Sequence, residues 1–206
     1  MAKTAAQWDA TYRETPAPFG QAPSAGLVAG LAAHGPQRPG RALLPADGDG
    51  RNGRWLAQAG WTVTALDWSE TATAAARAED ARRGAAPERL VADLEDWTPE
   101  AVPPQDLVAI LFLQVPSGLR SRVLGLGAAA LAPGGLLIVE GFAGAADDAR
   151  PGGPGATAVR WQTEETVALI EAAGCTVLDA LEGLSTLDDG PRHQGRARVL
   201  RLVARR

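Results

Sequence analysis

The sequence predicts an α/β protein built on a doubly wound, mostly parallel sheet of seven strands that ends in an antiparallel strand pair. Two observations predict this fold. Short apolar segments alternate with helical segments five times between residues 41 and 142, which is typical of parallel strands joined by right-handed crossovers. The last two strand segments have no helix between them, so we expect them to pair antiparallel across the loop 187–195.

The individual elements follow from apolar periodicity and from helix-breaking residues. The predicted strands are 41–45, 61–67, 88–94, 106–115, 135–142, 175–186 and 196–205. The predicted helices are 5–14, 24–34, 52–59, 70–83, 118–131 and 163–174. The continuous apolar run 106–115 is typical of a strand covered on both faces of a sheet. Ser24 and Ser69 precede helical segments and are expected to cap them.

Length, net charge and cysteine content limit the kinds of protein that this sequence can encode. The chain has 206 residues, a net charge of −4 and a single cysteine, Cys175. This length predicts one domain, and the acidic balance argues against a nucleic-acid surface. One cysteine excludes an internal disulfide and suits a reducing compartment, and no apolar run approaches the roughly 18 residues of a membrane span. We therefore expect a cytoplasmic monomer or homodimer that acts on a small molecule, with neither nucleic-acid nor membrane partners.

The turn after the first strand is a candidate ligand site. In LLPADGDGRNGRWLA (43–57), Gly48 and Gly50 allow a ligand to approach the backbone closely, and amides before a helix attract an anion. The spacing Gly48, Gly50, Gly53 also fits a dinucleotide fingerprint, in which the anion is a pyrophosphate. In an S-adenosylmethionine (SAM) site the anion is the methionine carboxylate, and a tight turn without a ligand is the third alternative. The terminal antiparallel pair favours SAM, because the dinucleotide fold continues with parallel units.

Acidic side chains end the next two predicted strands. Asp67 stands at the distance beyond Gly50 that is expected of a carboxylate accepting from both ribose hydroxyls. Asp93 is placed to accept from an adenine amino group while Leu94 backs the ring, and Trp68 either covers the adenine or packs in the core. Solvated aspartates at strand ends are the alternative.

Three segments, GRALLPADGDGRNGRWLAQAGWTVTALDWSE, VADLEDW and AALAPGGLLIVEGF, resemble class I SAM-dependent methyltransferases. The small tellurite-resistance-type branch is the most similar, and WDATYRETPAPFGQAPS and HQGRARVLRLVARR extend this resemblance over nearly the whole chain. The resemblance implies a Rossmann-like fold, SAM as cofactor, S-adenosylhomocysteine as product, and an N-terminal helical lid (1–35) over a core (36–206). It implies methyl transfer to a small nucleophile, with a thiol or a chalcogen oxyanion as the first candidates.

The resemblance also implies a set of cofactor-binding residues along the carboxyl edge of the sheet. They are Ala46, Asp47, Gly48, Asp49, Gly50, Arg51, Asn52, Asp67, Trp68, Ser69, Asp93, Leu94, Phe112 and Gln114. This sequence departs from the family pattern at Leu44, which replaces an acidic residue, and at Ala46, which replaces the first glycine. Our hypothesis is that Asp47 or Asp49 instead binds the ammonium group of the cofactor.

Residues away from the turn are candidates for the chemistry: His193, Arg196, Arg160 and Tyr12. His193 is flanked by arginines in the predicted loop, and histidine is the side chain best suited to proton transfer near neutral pH. Arg160 is a candidate for binding an anionic acceptor, and the resemblance places Tyr12 on the lid. The sequence offers no metal-ligand cluster. A SAM-binding module without turnover and an NAD(P)-dependent oxidoreductase remain the alternatives.

Overall fold

A computed structural model describes residues 3–144 and 159–206. The helices are α1 (Ala5–Glu14), α2 (Ala25–His34), α3 (Arg51–Gln58), α4 (Glu70–Arg83), α5 (Ser117–Ala130) and α6 (Thr163–Ala172). The strands are β1 (Arg41–Pro45), β2 (Thr62–Asp67), β3 (Glu88–Val91), β4 (Gln105–Leu111), β5 (Leu131–Phe142), β6 (Thr176–Gly190) and β7 (His193–Arg205). Most of the Gly/Pro-rich segment 143–156 lies outside the described residues.

The seven strands form one sheet in the order β3-β2-β1-β4-β5-β7-β6. The first five strands are mutually parallel, whereas β7 pairs antiparallel with both β5 and β6. The predicted fold class is therefore confirmed. The chain order reverses between β1 and β4, and in open parallel sheets such a reversal opens a crevice at the carboxyl ends of the strands.

Helices cover both faces of the sheet and bury its apolar side chains. On one face, Leu27 of α2 and Leu56 of α3 pack against β1, β2 and β4. On the other face, Leu124 of α5 and Ile170 of α6 pack against β4, β5 and β7. Central strands buried on both faces explain the continuous apolar runs in the sequence. Among the described residues, no helix is long and apolar enough to cross a membrane.

Several boundaries differ from the sequence-based predictions, and the largest difference is in the terminal hairpin. Register pairing of β6 with β7 continues to Gly190 and His193, so most of the predicted loop 187–195 is strand and only two residues make the turn. Strand β4 ends at Leu111 because Phe112 has a φ of +53°, which extended backbone does not allow. Strand β3 ends at Val91 rather than at residue 94, and β5 begins four residues earlier than predicted.

The N-terminal segment is tied to the core by side chains that reach buried partners. As predicted, the Ser69 hydroxyl caps α4 by accepting from the Ala72 amide, and it also donates to Asp9 of α1 (2.6 Å). Ser24 does not cap α2 with its side chain, contrary to the prediction; its hydroxyl donates to the buried Glu140 carboxylate of β5. The N-terminal helices are therefore fixed against α4 and β5.

Candidate cofactor and acceptor site

A cavity opens at the carboxyl ends of the parallel strands, beside the point where the strand order reverses. Residues that follow β1, β2, β3 and β4 form its floor, and α1, the segment after it and the start of β7 close it from above. The lining residues are Trp8, Tyr12, Phe19, Ala46, Asp47, Gly48, Asp49, Arg51, Asn52, Asp67, Trp68, Asp93, Leu94, Leu111, Phe112, Leu113, Gln114, Val115, Leu119 and His193. The cavity thus brings together most of the residues that the sequence predicts for the site.

The turn after β1 is held in a left-handed conformation that exposes its backbone to the cavity. Ala46, Gly48 and Gly50 have φ values of +59°, +56° and +84°. Gly48 is required here, because an added Cβ would overlap the Tyr12 hydroxyl. The turn leads directly into α3, whose positive N-terminal dipole end favours a negatively charged group.

Asp67 joins the turn to the end of β2. Its Oδ2 accepts from the Gly48 amide (2.8 Å) and its Oδ1 accepts from the Ser69 amide (2.9 Å). Burial raises the pKa of Asp67 to about 6, despite these two hydrogen bonds. The carboxylate is fixed in orientation at the cavity wall, where it has the position expected of a group that accepts from hydroxyls of a ligand.

Asp47 and Asp49, the two candidates for binding an ammonium group, have different environments. Asp47 Oδ2 is 2.8 Å from Nη1 of Arg89 and accepts from the Gly53 amide, so its charge is already balanced inside the protein. For Asp49, burial and the negative charge of Asp47 raise the pKa to about 6. Asp49 lines the cavity, and a cation bound there would stabilise its ionised form. Of the two, Asp49 is the better partner for an ammonium group.

The opposite end of the cavity is aromatic and centres on His193. The side chain of His193 is 2% exposed, and neither ring nitrogen has a hydrogen-bond partner among the described residues. The rings of Phe112, Phe19 and Phe142 lie 4.5, 4.7 and 5.3 Å from the imidazole ring, measured between centroids. Burial of an imidazole with its nitrogens unpaired is unusual in a core and is expected where a ligand completes the site.

An acidic and a basic residue connect His193 with the turn after β1. Asp189 Oδ2 lies 3.5 Å from Nδ1 of His193 and 3.4 Å from Nη1 of Arg51, the first residue of α3. Burial raises the pKa of Asp189, but its interaction with His193 and the positive charge of Arg51 outweigh burial and lower the pKa. Asp189 is therefore ionised and faces the imidazole.

Four predicted site residues do not line the cavity. Ser69 is fully buried in the cap of α4, and at Gly50 an added Cβ would meet the Arg89 guanidinium rather than the cavity. Arg160 is buried, with Nη1 donating to the Ala143 carbonyl at 3.2 Å. Arg196 is exposed on β7. Because side chains alternate along a strand, a residue three positions from His193 faces the other side of the sheet.

The structure also adds residues that the sequence did not single out. Leu111, Val115 and Leu119 supply an apolar wall at the end of β4 and beyond it, in continuation of the buried strand. Phe19 reaches the cavity although it lies more than 170 positions from His193 in the chain. No local sequence pattern signals this contact, because the antiparallel addition of β7 to the sheet creates it.

Comparisons with known proteins agree with this geometry. Residues 45–135 match the model of a family described as a methyltransferase domain, and no curated protein matches the chain. A solved structure described as “Conversion of a Disulfide Bond into a Thioacetal Group during Echinomycin Biosynthesis” is 22% identical, with a TM-score of 0.77 over 99% of this chain and 92% of that chain.

Two further solved structures share the fold at low identity. TehB from Haemophilus influenzae is 14% identical, with a TM-score of 0.71 over 98% of this chain and 67% of that chain. Magnesium protoporphyrin IX methyltransferase (ChlM) from Synechocystis PCC 6803, solved with bound S-adenosylhomocysteine, is 20% identical. Its TM-score is 0.66 over 87% of this chain and 80% of that chain.

The matched model and the sheet topology agree on the class of domain. Residues 45–135 match a methyltransferase domain, and the seven-stranded sheet has a Rossmann-like fold. The match to a methyltransferase domain favours SAM as cofactor over the nicotinamide dinucleotide that the glycine spacing also allows. The likeness to TehB concerns the fold alone, so membership of the tellurite-resistance-type branch stays a prediction.

Proposed function

We propose that this protein transfers a methyl group from SAM to a small nucleophile, a thiol or a chalcogen oxyanion, with His193 as the general base. The observation that carries the proposal is the buried imidazole of His193 in the same cavity as the glycine turn. A methyltransferase must hold its acceptor close to the cofactor and, where the acceptor carries a proton, must remove that proton.

The lining residues fit SAM at each of its polar groups. The amides of the turn at Gly48 and the N-terminus of α3 suit the carboxylate of the methionine end, and Asp49 suits its ammonium group. Asp67 is oriented to accept from the ribose hydroxyls, and Asp93 with Leu94 suits the adenine. When bound, SAM supplies a methyl group on a sulfonium centre, which is activated for in-line displacement.

His193 performs the proton transfer, and its neighbours determine which nitrogen takes part. Asp189 faces Nδ1, so it favours the tautomer with a proton on Nδ1 and leaves the lone pair of Nε2 for the acceptor. As Nε2 takes up the proton of the acceptor, the negative charge of Asp189 stabilises the imidazolium that forms. The phenyl rings around His193 exclude water from this step.

The N-terminal segment acts as a lid. Trp8, Tyr12 and Phe19 line the cavity from α1 and the chain that follows it, with ring centroids 6.0–6.1 Å apart. The Arg192 amide of the hairpin donates to the Pro18 carbonyl (2.8 Å), which fixes this segment against the β6–β7 turn. The lid must open for the cofactor to enter, and its closure completes the aromatic end of the site.

Formation of S-adenosylhomocysteine, measured by mass spectrometry with thiols and with selenium or tellurium oxyanions, tests the proposal. We expect turnover by the wild-type protein and a loss of about 10²- to 10⁴-fold in kcat for His193→Ala. The control is His34→Ala, because the only other histidine lies away from the cavity on α2. SAM binding without turnover of any acceptor would show a binding module and contradict the proposal.

A further inference from the structure

The phenylalanines of this chain are concentrated at one end of the cavity. The sequence contains three phenylalanines, one tyrosine and six tryptophans, and four of the tryptophans do not line the cavity. All three phenylalanines lie within 5.3 Å of the His193 ring, measured between centroids, and the tyrosine lies 6.1 Å from Phe19. All the phenylalanine side chains therefore surround one imidazole, whereas the two main clusters of the core are built mainly from aliphatic residues and tryptophan.

Two of the three phenylalanines face the cavity and one does not. Phe19 and Phe112 line it, whereas Phe142 packs behind His193 in the interior, beside Val199 and Leu187. Phe112 adopts a φ of +53°, a conformation that a bulky residue rarely takes. Strained backbone of this kind persists where the surroundings hold it, and here it follows β4 and places a ring against the imidazole.

The charges of the cavity wall are mostly negative. Asp47, Asp49, Asp67 and Asp93 line it, and among the described residues the only guanidinium that lines it is that of Arg51. Arg51 is already engaged with Asp189 at 3.4 Å and with the Ala22 carbonyl at 3.1 Å. The charge nearest to the aromatic end is also negative, because the ionised Asp189 carboxylate lies 3.5 Å from Nδ1 of His193. A buried anion requires a positively charged partner, so this end of the cavity is unfavourable for an oxyanion.

From these observations we propose that the acceptor is a neutral arylmethyl thiol, in which a CH2 group joins the thiol to a planar aromatic ring, held between Phe19 and Phe112 with its S–H directed at His193. The inference rests on the proposed function and narrows its acceptor class to thiols. An aromatic acceptor gains offset-stacked and edge-to-face contacts with the two phenyl rings, in addition to the burial of its apolar surface.

The transfer step balances without any further reactant. The S–H proton passes to Nε2 of His193, and the sulfur lone pair attacks the methyl carbon. A new carbon–sulfur bond forms as the bond between methyl and sulfonium breaks, and its electron pair stays on the cofactor sulfur. The products are the methyl thioether of the acceptor, S-adenosylhomocysteine and a protonated His193, which releases its proton to solvent. A neutral thiol enters the aromatic end of the cavity without an unpaired buried charge.

The test compares kcat/KM for phenylmethanethiol, 2-mercaptoethanol and tellurite, each with SAM, in matched variants. Both thiols are protonated at neutral pH, and wild-type protein is expected to prefer phenylmethanethiol over 2-mercaptoethanol by tenfold or more. Phe19→Leu keeps apolar volume but removes a ring, so it should reduce that preference by about tenfold. Phe142→Leu is the control: this ring contacts His193 from outside the cavity, so the variant should lower both thiol rates by the same factor and leave their ratio unchanged. A preference for tellurite, or an unchanged ratio in Phe19→Leu, would overturn the inference.

A binding measurement separates this inference from the proposed function. Phenylmethanethiol is titrated calorimetrically into protein loaded with S-adenosylhomocysteine, and tellurite is titrated in parallel. If no acceptor is methylated, the proposed function fails, yet phenylmethanethiol binding that weakens in Phe19→Leu would still support an aromatic acceptor subsite. Binding of tellurite alone, or of neither compound, would contradict it.

Discussion

Arg89 of β3 and Asp47 of the glycine turn form an ion pair inside the protein, with 2.8 Å between Nη1 and Oδ2. The same guanidinium contacts Asp80 of α4 (2.6 Å) and donates to the Gly50 carbonyl (3.0 Å). Arg89 therefore holds the turn from behind, on the side opposite to the Tyr12 hydroxyl. Removing one residue of such a buried ion pair destabilises the protein, because the remaining charge is left without a partner.

We expect Arg89→Ala to lower the free energy of unfolding by about 3–5 kcal/mol, because the buried Asp47 carboxylate loses its ion-pair partner and Asp80 keeps only Arg54. The matched control is Arg82→Ala, whose ion pair with Glu79 is on the surface of α4, where solvent screens it and it contributes little to stability. Urea-induced unfolding of both variants measures the difference. Equal destabilisation by the two substitutions would show that the internal network does not support the turn.

Gly48→Ala is predicted to weaken SAM binding strongly, because the added Cβ overlaps the Tyr12 hydroxyl at the wall of the cavity. Gly84 is a matched control: it has a similar φ of +66° but no atom within 4 Å of an added Cβ. Both variants should lose about 1–2 kcal/mol of stability to left-handed strain. Only Gly48→Ala should also lose SAM affinity in calorimetric titration, and equal SAM affinities would contradict the assignment of the turn.

Asp49→Asn should stabilise the ligand-free protein while weakening SAM binding. Burial raises the pKa of Asp49 from 3.8 to about 6, which corresponds to about 3 kcal/mol at most. Because the folded-state pKa exceeds the unfolded value, the folded protein binds the proton more tightly, and stability falls as the pH rises from about 4 to about 6. The gain in stability from Asp49→Asn should therefore be full at pH 7.5 and largely absent at pH 4.

The affinity of Asp49→Asn for SAM at pH 7.5 should be about 10- to 100-fold lower, because a charge-assisted hydrogen bond to the ammonium group is lost. Asp93→Asn is the comparison variant, since its side chain faces the other end of the cofactor and carries no ammonium interaction. If Asp49→Asn is more stable but binds SAM with unchanged affinity, the ammonium group does not bind at Asp49.

Asp189→Asn tests the positioning of His193. The substitution preserves shape but removes the negative charge that stabilises the imidazolium, so kcat should fall by about tenfold or more while SAM affinity changes little. The loss should appear in kcat with little change in the KM for SAM. A variant that merely disturbs the hairpin would instead lower SAM affinity or the free energy of unfolding.

The parts of the site that follow strand ends were predictable from sequence. Asp67 and Asp93 each end a β-branched or apolar segment, and the carboxyl ends of parallel strands lie along one edge of the sheet. The glycine spacing identified the turn after β1 in the same way, because this turn also lies at the carboxyl end of a strand. The positions of these residues follow from the succession of strands and turns along the chain, which the sequence pattern indicates directly.

The acceptor end was less predictable because it depends on register and on distant contacts. The segment 187–195 looked like a loop, so His193 and Arg196 were expected to share the mouth of the site; the register of β7 instead separates them onto opposite faces. Arg89 lies in a short strand, where a charged residue normally indicates solvent, and only the fold shows that it is buried between two aspartates. Contacts of this kind arise from tertiary packing, and the periodicity of a sequence carries no information about them.

A crystal structure of the protein with S-adenosylhomocysteine tests the central claim most directly. The account predicts adenosyl density between Asp67 and Asp93, the amino-acid carboxylate at the amides of the glycine turn, and the sulfur directed toward His193. Density for the ligand in another location, or a cavity that stays empty at saturating ligand, would contradict it.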